Sequence, residues 1–132
     1  MLLGVTATRS PPRAKPQAIL VRPRIYIGEN IAIGPGKVDL LKAIDQAHSI
    51  SAAARNLDMP YKRAWLLLDA LNEGFGRLVV STSTGGRAGG GASLTPLGKQ
   101  LVAAYDALEK RLNGKAAPEL QALRELAASP SR

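Results

Sequence analysis

The pattern of apolar and polar positions predicts a short hairpin and then a series of helices. In the stretch RIYIGENIAIG, Ile25 and Ile27 alternate with other residues, and the chain turns at Gly28 before it resumes with further isoleucines. From residue 37 to residue 47 the apolar side chains recur at helical offsets instead, and Pro35 marks the start of that helix. We therefore expect a hairpin followed by a first helix.

The next stretch, SISAAARNLDMPYKRAWLLLDALNEGFG, predicts two helices joined by a tight turn. Ser49 or Ser51 is placed to cap the first of them, which is small and rich in alanine. Pro60 suits the first position of the second helix, which we expect to end near Asn72, before Gly74.

The second helix of this pair has one apolar side and one polar side. Its predicted buried stripe consists of Ala64, Leu67, Leu68 and Leu71. The outer side carries Lys62, Arg63 and Leu66. Trp65 lies at the edge of the stripe, where we expect its ring to pack into the core.

Two short extended pieces, RLVVSTST and ASLT, flank a run of glycines between Gly85 and Gly91. The run lacks the Gly-Lys-Ser/Thr ending with which a P-loop holds nucleotide phosphates and magnesium, and it leads into a strand. We interpret it as the tip of a second hairpin, with Arg87 placed to lie along DNA phosphates or the minor groove. The alternative is a plain long hairpin loop.

Thr95 and Pro96 begin a last long amphipathic helix. Its apolar stripe is longer than one small domain needs, and we interpret the stripe as a dimer interface. The residues assigned to that interface are Leu97, Leu101, Tyr105, Leu108 and Leu112. The alternative is that a short helix predicted beyond Gly114 folds back onto the stripe.

A helix, a tight helical pair and then a strand pair with a glycine-rich tip is the order of elements in a winged helix-turn-helix. The predicted fold is α+β and mostly helical, with an N-terminal β-hairpin, a three-helix core, a β-hairpin wing and a long C-terminal helix. We expect a flexible basic arm over residues 1–18, the winged helix-turn-helix domain over 19–113, and a short C-terminal helix and tail over 114–132.

Charge favours a polyanionic partner, because 18 lysines and arginines against 10 acidic residues give a net charge of +8. Much of it precedes Glu29, the first acid, on Arg9, Arg13, Lys15, Arg22 and Arg24. The arm is either a solubilising tail or a segment that follows DNA. No apolar run is long enough to span a membrane and no secretory signal is visible, so we expect a cytoplasmic protein without a membrane partner.

The chain offers few groups for catalysis or metal binding, since it contains no cysteine and a single histidine, His48. His48 stands between a predicted helix end and Ser49, and no second ligand or nucleophile lies at motif spacing from it. We therefore expect no catalytic residue, no metal, no cofactor and no enzymatic activity.

Three segments resemble the DNA-binding domain of the ModE family of molybdate-dependent transcriptional regulators, which is related to the LysR-type winged helices: GPGKVDLLKAI, SISAAARNLDMPYKRAW and GGRAGGGASLTPLGKQL. The resemblance covers roughly residues 20 to 112. It implies that Ser51–Ala54 opens the first helix of the helix-turn-helix, that Tyr61–Trp65 begins the recognition helix, and that Gly85–Gly91 is the wing.

The chain departs from the family pattern at the turn, where Asp58 and Pro60 stand in place of the usual glycine and serine. Aspartate tolerates the left-handed conformation and proline is preset for a first helical turn, so we expect the geometry to survive. Members of the family also carry C-terminal molybdate-binding domains, which we expect this chain to lack. Molybdate binding by this chain is therefore not expected.

Together these observations predict a dimeric, sequence-specific regulator that binds double-stranded DNA. The alternative is a winged helix used for protein contacts or for non-specific binding to the nucleoid. The residues assigned to DNA are Ser51, Arg55, Pro60, Tyr61, Lys62, Arg63, Gly85, Gly86, Arg87, Gly89 and Gly90.

Overall fold

The computed structural model describes residues 20–83 and 91–128. It begins with an antiparallel hairpin of β1 (Ile25–Ile27) and β2 (Ile31–Ile33), in which Ile25 is opposite Ile33. Gly28 opens the turn with φ +61°, a left-handed conformation that glycine adopts without strain. The predicted N-terminal hairpin is confirmed.

The first helix, α1 (Pro35–Ala47), starts two residues earlier than the periodicity predicts, because Pro35 itself occupies its first turn. His48 caps the end of the helix: it takes a left-handed conformation with φ 55° and donates its backbone N–H to the Ile44 carbonyl. His48 is thus the helix-terminal residue that the sequence predicts.

The helix-turn-helix consists of α2 (Ile50–Asn56) and α3 (Tyr61–Phe75). Of the two candidate caps, Ser49 is the one used, since its hydroxyl oxygen accepts a hydrogen bond from the Ala52 N–H at 3.0 Å. Asp58 supplies the left-handed residue of the turn, with φ 54°. Pro60 is the N-cap of α3 and not its first helical residue, a shift of one position from the prediction.

The predicted end of α3 is wrong, because the helix passes through Gly74 and ends at Phe75, with Gly76 as a left-handed cap at φ 68°. Gly74 does not end the helix; it lets the first hairpin pack closely against it. A Cβ at this position would lie 2.8 Å from the carbonyl oxygen of Asn30 and 3.0 Å from Cγ1 of Ile31. The hairpin therefore sits directly against the last turns of α3.

The second hairpin pairs β3 (Val80–Ser83) with β4 (Gly91–Leu94), and Val80 is opposite Leu94. We call these two strands the wing. Its predicted tip, with Gly85, Gly86, Arg87, Gly89 and Gly90, lies outside the described residues.

The chain continues with α4 (Pro96–Lys115) and α5 (Ala117–Ala128). Gly114 lies inside α4, so the helix is longer than predicted. Residues 21–114 form one compact unit, and α5 belongs to another. No side chain of α5 is buried, and Leu123 and Leu126 on it are exposed.

The core lies between α1, α2, α3 and the wing, and consists of aliphatic side chains with one aromatic ring, that of Tyr105. The largest side chains that are fully buried are Val38, Leu40, Leu41, Ile44, Leu68, Leu71 and Val79. The order of elements confirms the predicted winged helix-turn-helix of the α+β class. Within the described ranges no helix has the length and apolar character that crossing a bilayer requires.

Candidate nucleic-acid interface

The first turns of α3 present a polar, basic surface to solvent. Ala64 and Leu68 are buried on the inner side of the helix, whereas Tyr61, Lys62 and Arg63 are exposed. Leu67, predicted to be buried, is only partly so and packs at the margin of the core. Helical periodicity thus forces the cationic residues outward while the stripe anchors the helix.

The cations at this surface are not neutralised within the described part of the chain. Lys62, Arg63 and Arg55 form no salt bridge with any acid in those residues. By contrast, Lys42 on α1 contacts Asp106 on α4 at 2.7 Å. Within the described residues these charges of α2 and α3 are left to interact with an external anion.

Charge changes sign along the outer side of α3. Lys62 and Arg63 lie in its first turn, whereas Asp69 and Glu73 are exposed further along the helix. Phosphates are attracted by the first part and repelled by the second. The charge pattern therefore orients the N-terminal end of α3 towards a polyanion.

Tyr61 is held by an aromatic neighbour one turn further on. Its ring meets that of Trp65 edge to face, with centroids 6.3 Å apart and planes at 82°. Trp65 is partly buried and packs against the core, as the sequence predicts, and Tyr61 is 54% exposed. The pair keeps the phenol at the surface without burying it.

The remaining predicted DNA contacts of the helix-turn-helix are also at the surface. Ser51 and Arg55 on α2 and Pro60 before α3 are all exposed. The turn between the helices is closed by the Met59 N–H, which donates to the Ala54 carbonyl at 2.9 Å. Exposure permits these residues to contact a ligand, and their assignment to DNA stays a prediction.

The wing is held by hydrogen bonds at both of its strands. The Ala92 N–H on β4 donates to the His48 carbonyl at 3.0 Å, which places that strand beside the turn between α1 and α2. Ahead of β3, the Val79 N–H donates to Oδ1 of Asn72 on α3 at 2.9 Å. The base of the wing is thus fixed to the helix-turn-helix from two directions.

Thr95 joins the wing to α4. Its hydroxyl donates to the Leu78 carbonyl at 2.8 Å and accepts the Gly98 N–H at 3.1 Å, so one side chain caps α4 and holds the chain before β3. Sequence periodicity marks the start of α4 at Thr95 but gives no sign of this second bond.

The first half of the apolar stripe on α4 packs against the core of the domain. Leu97 and Leu101 pack against the core, and Tyr105 is only 3% exposed, with its hydroxyl donating to the Pro23 carbonyl at 2.7 Å. Leu108 and Leu112 are partly buried. The structure therefore corrects the view of Tyr105 as an outward-facing interface residue, because its ring fills the domain interior.

Residues 21–23 bind α4 to the rest of the domain, and the sequence does not predict these contacts. Arg22 contacts Asp39 on α1 at 2.8 Å and Glu109 on α4 at 3.1 Å. The two carboxylates raise the pKa of the Arg22 guanidinium. Asn113 both accepts from the Val21 N–H and donates to its carbonyl, at 2.8 and 2.9 Å. Arg22, counted in the sequence among the basic residues that precede Glu29, is therefore committed to intramolecular pairs.

The described residues contain no group of three or more histidine, cysteine, aspartate or glutamate side chains that would hold a metal ion. The arrangement instead joins an exposed, basic helix end, a tight turn and an anchored strand pair. This is the geometry with which winged helix-turn-helix domains meet a nucleic-acid duplex.

No family model matches the chain, but it is similar in sequence to several curated proteins. The chain is 49% identical over 77 residues to the molybdenum-pterin-binding protein MopB of Rhodobacter capsulatus, covering 58% of this chain and 28% of MopB. It is 34% identical over 84 residues to the DNA-binding transcriptional dual regulator ModE of Escherichia coli K12, covering 64% of this chain and 32% of ModE.

The chain thus spans about a third of the length of the curated relatives it matches. The resemblance to the ModE family of molybdenum-related regulators is confirmed. Among solved structures, the full-length LysR-type regulator LysG of Corynebacterium glutamicum aligns with 27% identity and a TM-score of 0.48, over 73% of this chain and 30% of that one.

Proposed function

We propose that this chain is a transcriptional regulator that binds double-stranded DNA in a sequence-specific manner, with the N-terminal end of α3 in the major groove. The observation that carries the proposal is the exposed pair Lys62 and Arg63 at the start of the second helix of a helix-turn-helix, which forms no salt bridge with any described acid. Arginine and lysine at this position donate to guanine edges or to phosphates. The similarity to the DNA-binding regulator ModE supports the same assignment.

The contacts around the groove follow from the same placement. Ser51 and Arg55 on α2 and Tyr61 on α3 are exposed on the elements that flank the turn, and we assign them to the DNA backbone. We assign the glycines of the wing tip and Arg87 to the adjoining phosphates or minor groove, because the strands that carry the tip are anchored beside the helix-turn-helix. The role is binding, and we propose no catalytic activity.

We further propose that the protein acts as a dimer through α4, with Leu108 and Leu112 at the contact. Leu97, Leu101 and Tyr105 support the helix from the interior of the domain. Paired recognition helices about 34–36 Å apart would read an inverted repeat. Sedimentation velocity of the Leu108→Glu/Leu112→Glu variant tests this: we expect a dimer for the unaltered chain and a monomer for the variant.

The DNA proposal is tested by selecting duplexes from a random pool and comparing affinities for a selected and a scrambled duplex. We expect the unaltered chain to prefer the selected duplex and the Lys62→Gln/Arg63→Gln variant to lose that preference. Each phosphate contact should add about −0.9 to the slope of log K against log salt. Equal losses on both duplexes would contradict base recognition.

Lys110 and Arg111 provide the matched control, because they are an adjacent, exposed basic pair on α4. Their double glutamine variant has the same change in net charge and should keep the preference for the selected duplex. Selection of no sequence at all would favour non-specific binding, and absence of any DNA complex would favour a protein-interaction role.

We do not assign molybdate binding to this chain. The name molybdenum-pterin-binding belongs to MopB, over 28% of whose length the similarity extends. Thermal unfolding with and without sodium molybdate tests this point, and an unchanged midpoint is expected. We propose a cytoplasmic location, because the chain is similar to the bacterial DNA-binding regulator ModE.

A further inference from the structure

Leu66 is an apolar side chain in the middle of the polar face of α3. It is 56% exposed, whereas Leu68 and Leu71 on the same helix are 1% exposed. It lies four residues after Lys62 and three after Arg63, so all of them share the outer face of the helix. Single exposed leucines are common on protein surfaces, so the position of Leu66, not its exposure alone, carries the argument.

That position lies inside the part of α3 that faces DNA under the proposed function. Lys62 and Leu66 are about 6 Å apart along the helix axis, so a groove that admits the first also admits the second. Asp69 and Glu73 follow on the same face and resist deeper contact with phosphates. Leu66 is thus the large apolar side chain exposed on the outer face of α3 between its basic first turn and Asp69.

The chemistry of the major groove limits what a leucine can contact there. Guanine, adenine and unmodified cytosine present hydrogen-bond donors and acceptors, and only thymine presents a methyl group at C5. A leucine placed against donors and acceptors would remove them from water without a replacement bond, whereas contact with the methyl removes two apolar surfaces from water.

We propose that Leu66 is a specificity-determining residue that recognises the C5-methyl group of a thymine within the site bound by this chain. This inference rests on the proposed function and deepens it, because it names the chemical group that the apolar part of α3 selects. The same methyl group occurs on 5-methylcytosine, and the experiment separates the two sources.

The test uses the full chain and duplexes in which single thymines of a selected sequence are replaced by deoxyuridine, which removes only the C5-methyl group. We expect replacement at one position per half-site to weaken binding of the unaltered chain by roughly three- to tenfold. The Leu66→Ala variant should bind the thymine and deoxyuridine duplexes equally at that position. The ratio of affinities for the thymine and deoxyuridine duplexes is compared between the two proteins, which cancels any effect of deoxyuridine on the duplex itself.

Leu78 supplies the control, because it is exposed to a similar extent, 59%, but lies outside α3. The Leu78→Ala variant should keep the full preference for thymine. A duplex with cytosines replaced by 5-methylcytosine, and with no thymine removed, should bind the unaltered chain no more tightly than its unmethylated form. Tighter binding lost in Leu66→Ala would place the contact on a methylated cytosine and overturn the assignment to thymine.

Two results overturn the proposal while the proposed function stands. One is specific binding with no loss at any deoxyuridine position, and the other is a loss that persists unchanged in Leu66→Ala. If no sequence is selected at all, the proposed function fails first and the role of Leu66 fails with it. Circular dichroism of each variant confirms that it is folded, which is expected because Leu66 is outside the core.

Discussion

Oδ1 of Asn72 accepts a hydrogen bond from the backbone N–H of Val79 at 2.9 Å, so the end of α3 holds the residue that precedes β3. Val79 is completely buried, so its N–H depends on this acceptor. The bond therefore links the helix assigned to the major groove with the base of the wing.

Replacing Asn72 by alanine should destabilise the domain. The buried N–H of Val79 would lose its acceptor, at a cost of about 1–3 kcal/mol, partly offset by the better helix propensity of alanine. Urea unfolding followed by circular dichroism measures the change in the free energy of unfolding. Asn56→Ala is the control, since Asn56 ends α2, is exposed and has no side-chain hydrogen bond among the described residues. A smaller loss for Asn72→Ala than for this control would contradict the assignment.

Two glycines of α4 should respond in opposite directions to alanine. A Cβ on Gly98 would overlap the Val79 carbonyl and lie 3.3 Å from Cβ of Leu94, so Gly98→Ala should cost about 1–3 kcal/mol or more. Among the described residues nothing lies within 4 Å of a Cβ on Gly114, and Gly114→Ala should gain about 0.5–1 kcal/mol from helix propensity. Thermal unfolding midpoints measure both. Shifts of the same sign would show that the close approach of the Val79 carbonyl to Gly98 does not exclude a methyl group there.

The serines at the start of α2 should separate stability from binding. Ser49 caps the helix, so Ser49→Ala should lower the free energy of unfolding by about 1 kcal/mol. Ser51 is exposed, and Ser51→Ala should leave stability unchanged while weakening the DNA complex through loss of a backbone contact. Urea unfolding and fluorescence anisotropy with labelled duplex provide the two measurements. A destabilised Ser51→Ala with a stable Ser49→Ala would reverse the assignment of the cap.

The sequence predicts helices and strands well where the local pattern of apolar and polar residues determines them. Periodicity places α1 to α4, and it separates the buried side of α3 from the outer side with Lys62. It fails at Gly74, because the reason for glycine there is the backbone of Asn30 packing against the helix, a contact invisible in the local pattern. A glycine inside an apolar period therefore indicated an end that does not exist.

The residues of the candidate site also fall into those that a local pattern predicts and those that depend on distant partners. Exposure of Tyr61 and Lys62 follows from helical spacing, so it was predictable. The pairing of Arg22 with Glu109, 87 residues away in the sequence, was not. Nor does any local pattern show that Tyr105 turns inward to meet Pro23, 82 residues away. Long-range partners decide which members of an amphipathic stripe remain available to a second molecule.

Tyr105 should make the domain sensitive to alkaline pH. Burial, with the nearby charge of Glu109, raises the pKa of its phenol above the ordinary value of about 10. Above that pH the unfolded chain releases the tyrosine proton while the folded chain still holds it, so the free energy of unfolding falls as the pH rises towards the folded pKa. At neutral pH this contribution is fully present.

Tyr105→Phe should therefore show a shallower loss of stability above pH 10, and at pH 7 it should be about 1 kcal/mol less stable because the Pro23 carbonyl loses its donor. The pKa of Lys37 is lowered by burial and by Arg24, so Lys37 makes the free energy of unfolding rise with pH. This contribution is the same in Tyr105→Phe and in the unaltered chain. Tyr26→Phe is the control, since Tyr26 is 69% exposed. Urea unfolding across this pH range gives the comparison, and identical alkaline slopes for Tyr105→Phe and the unaltered chain would exclude Tyr105 as the titrating group.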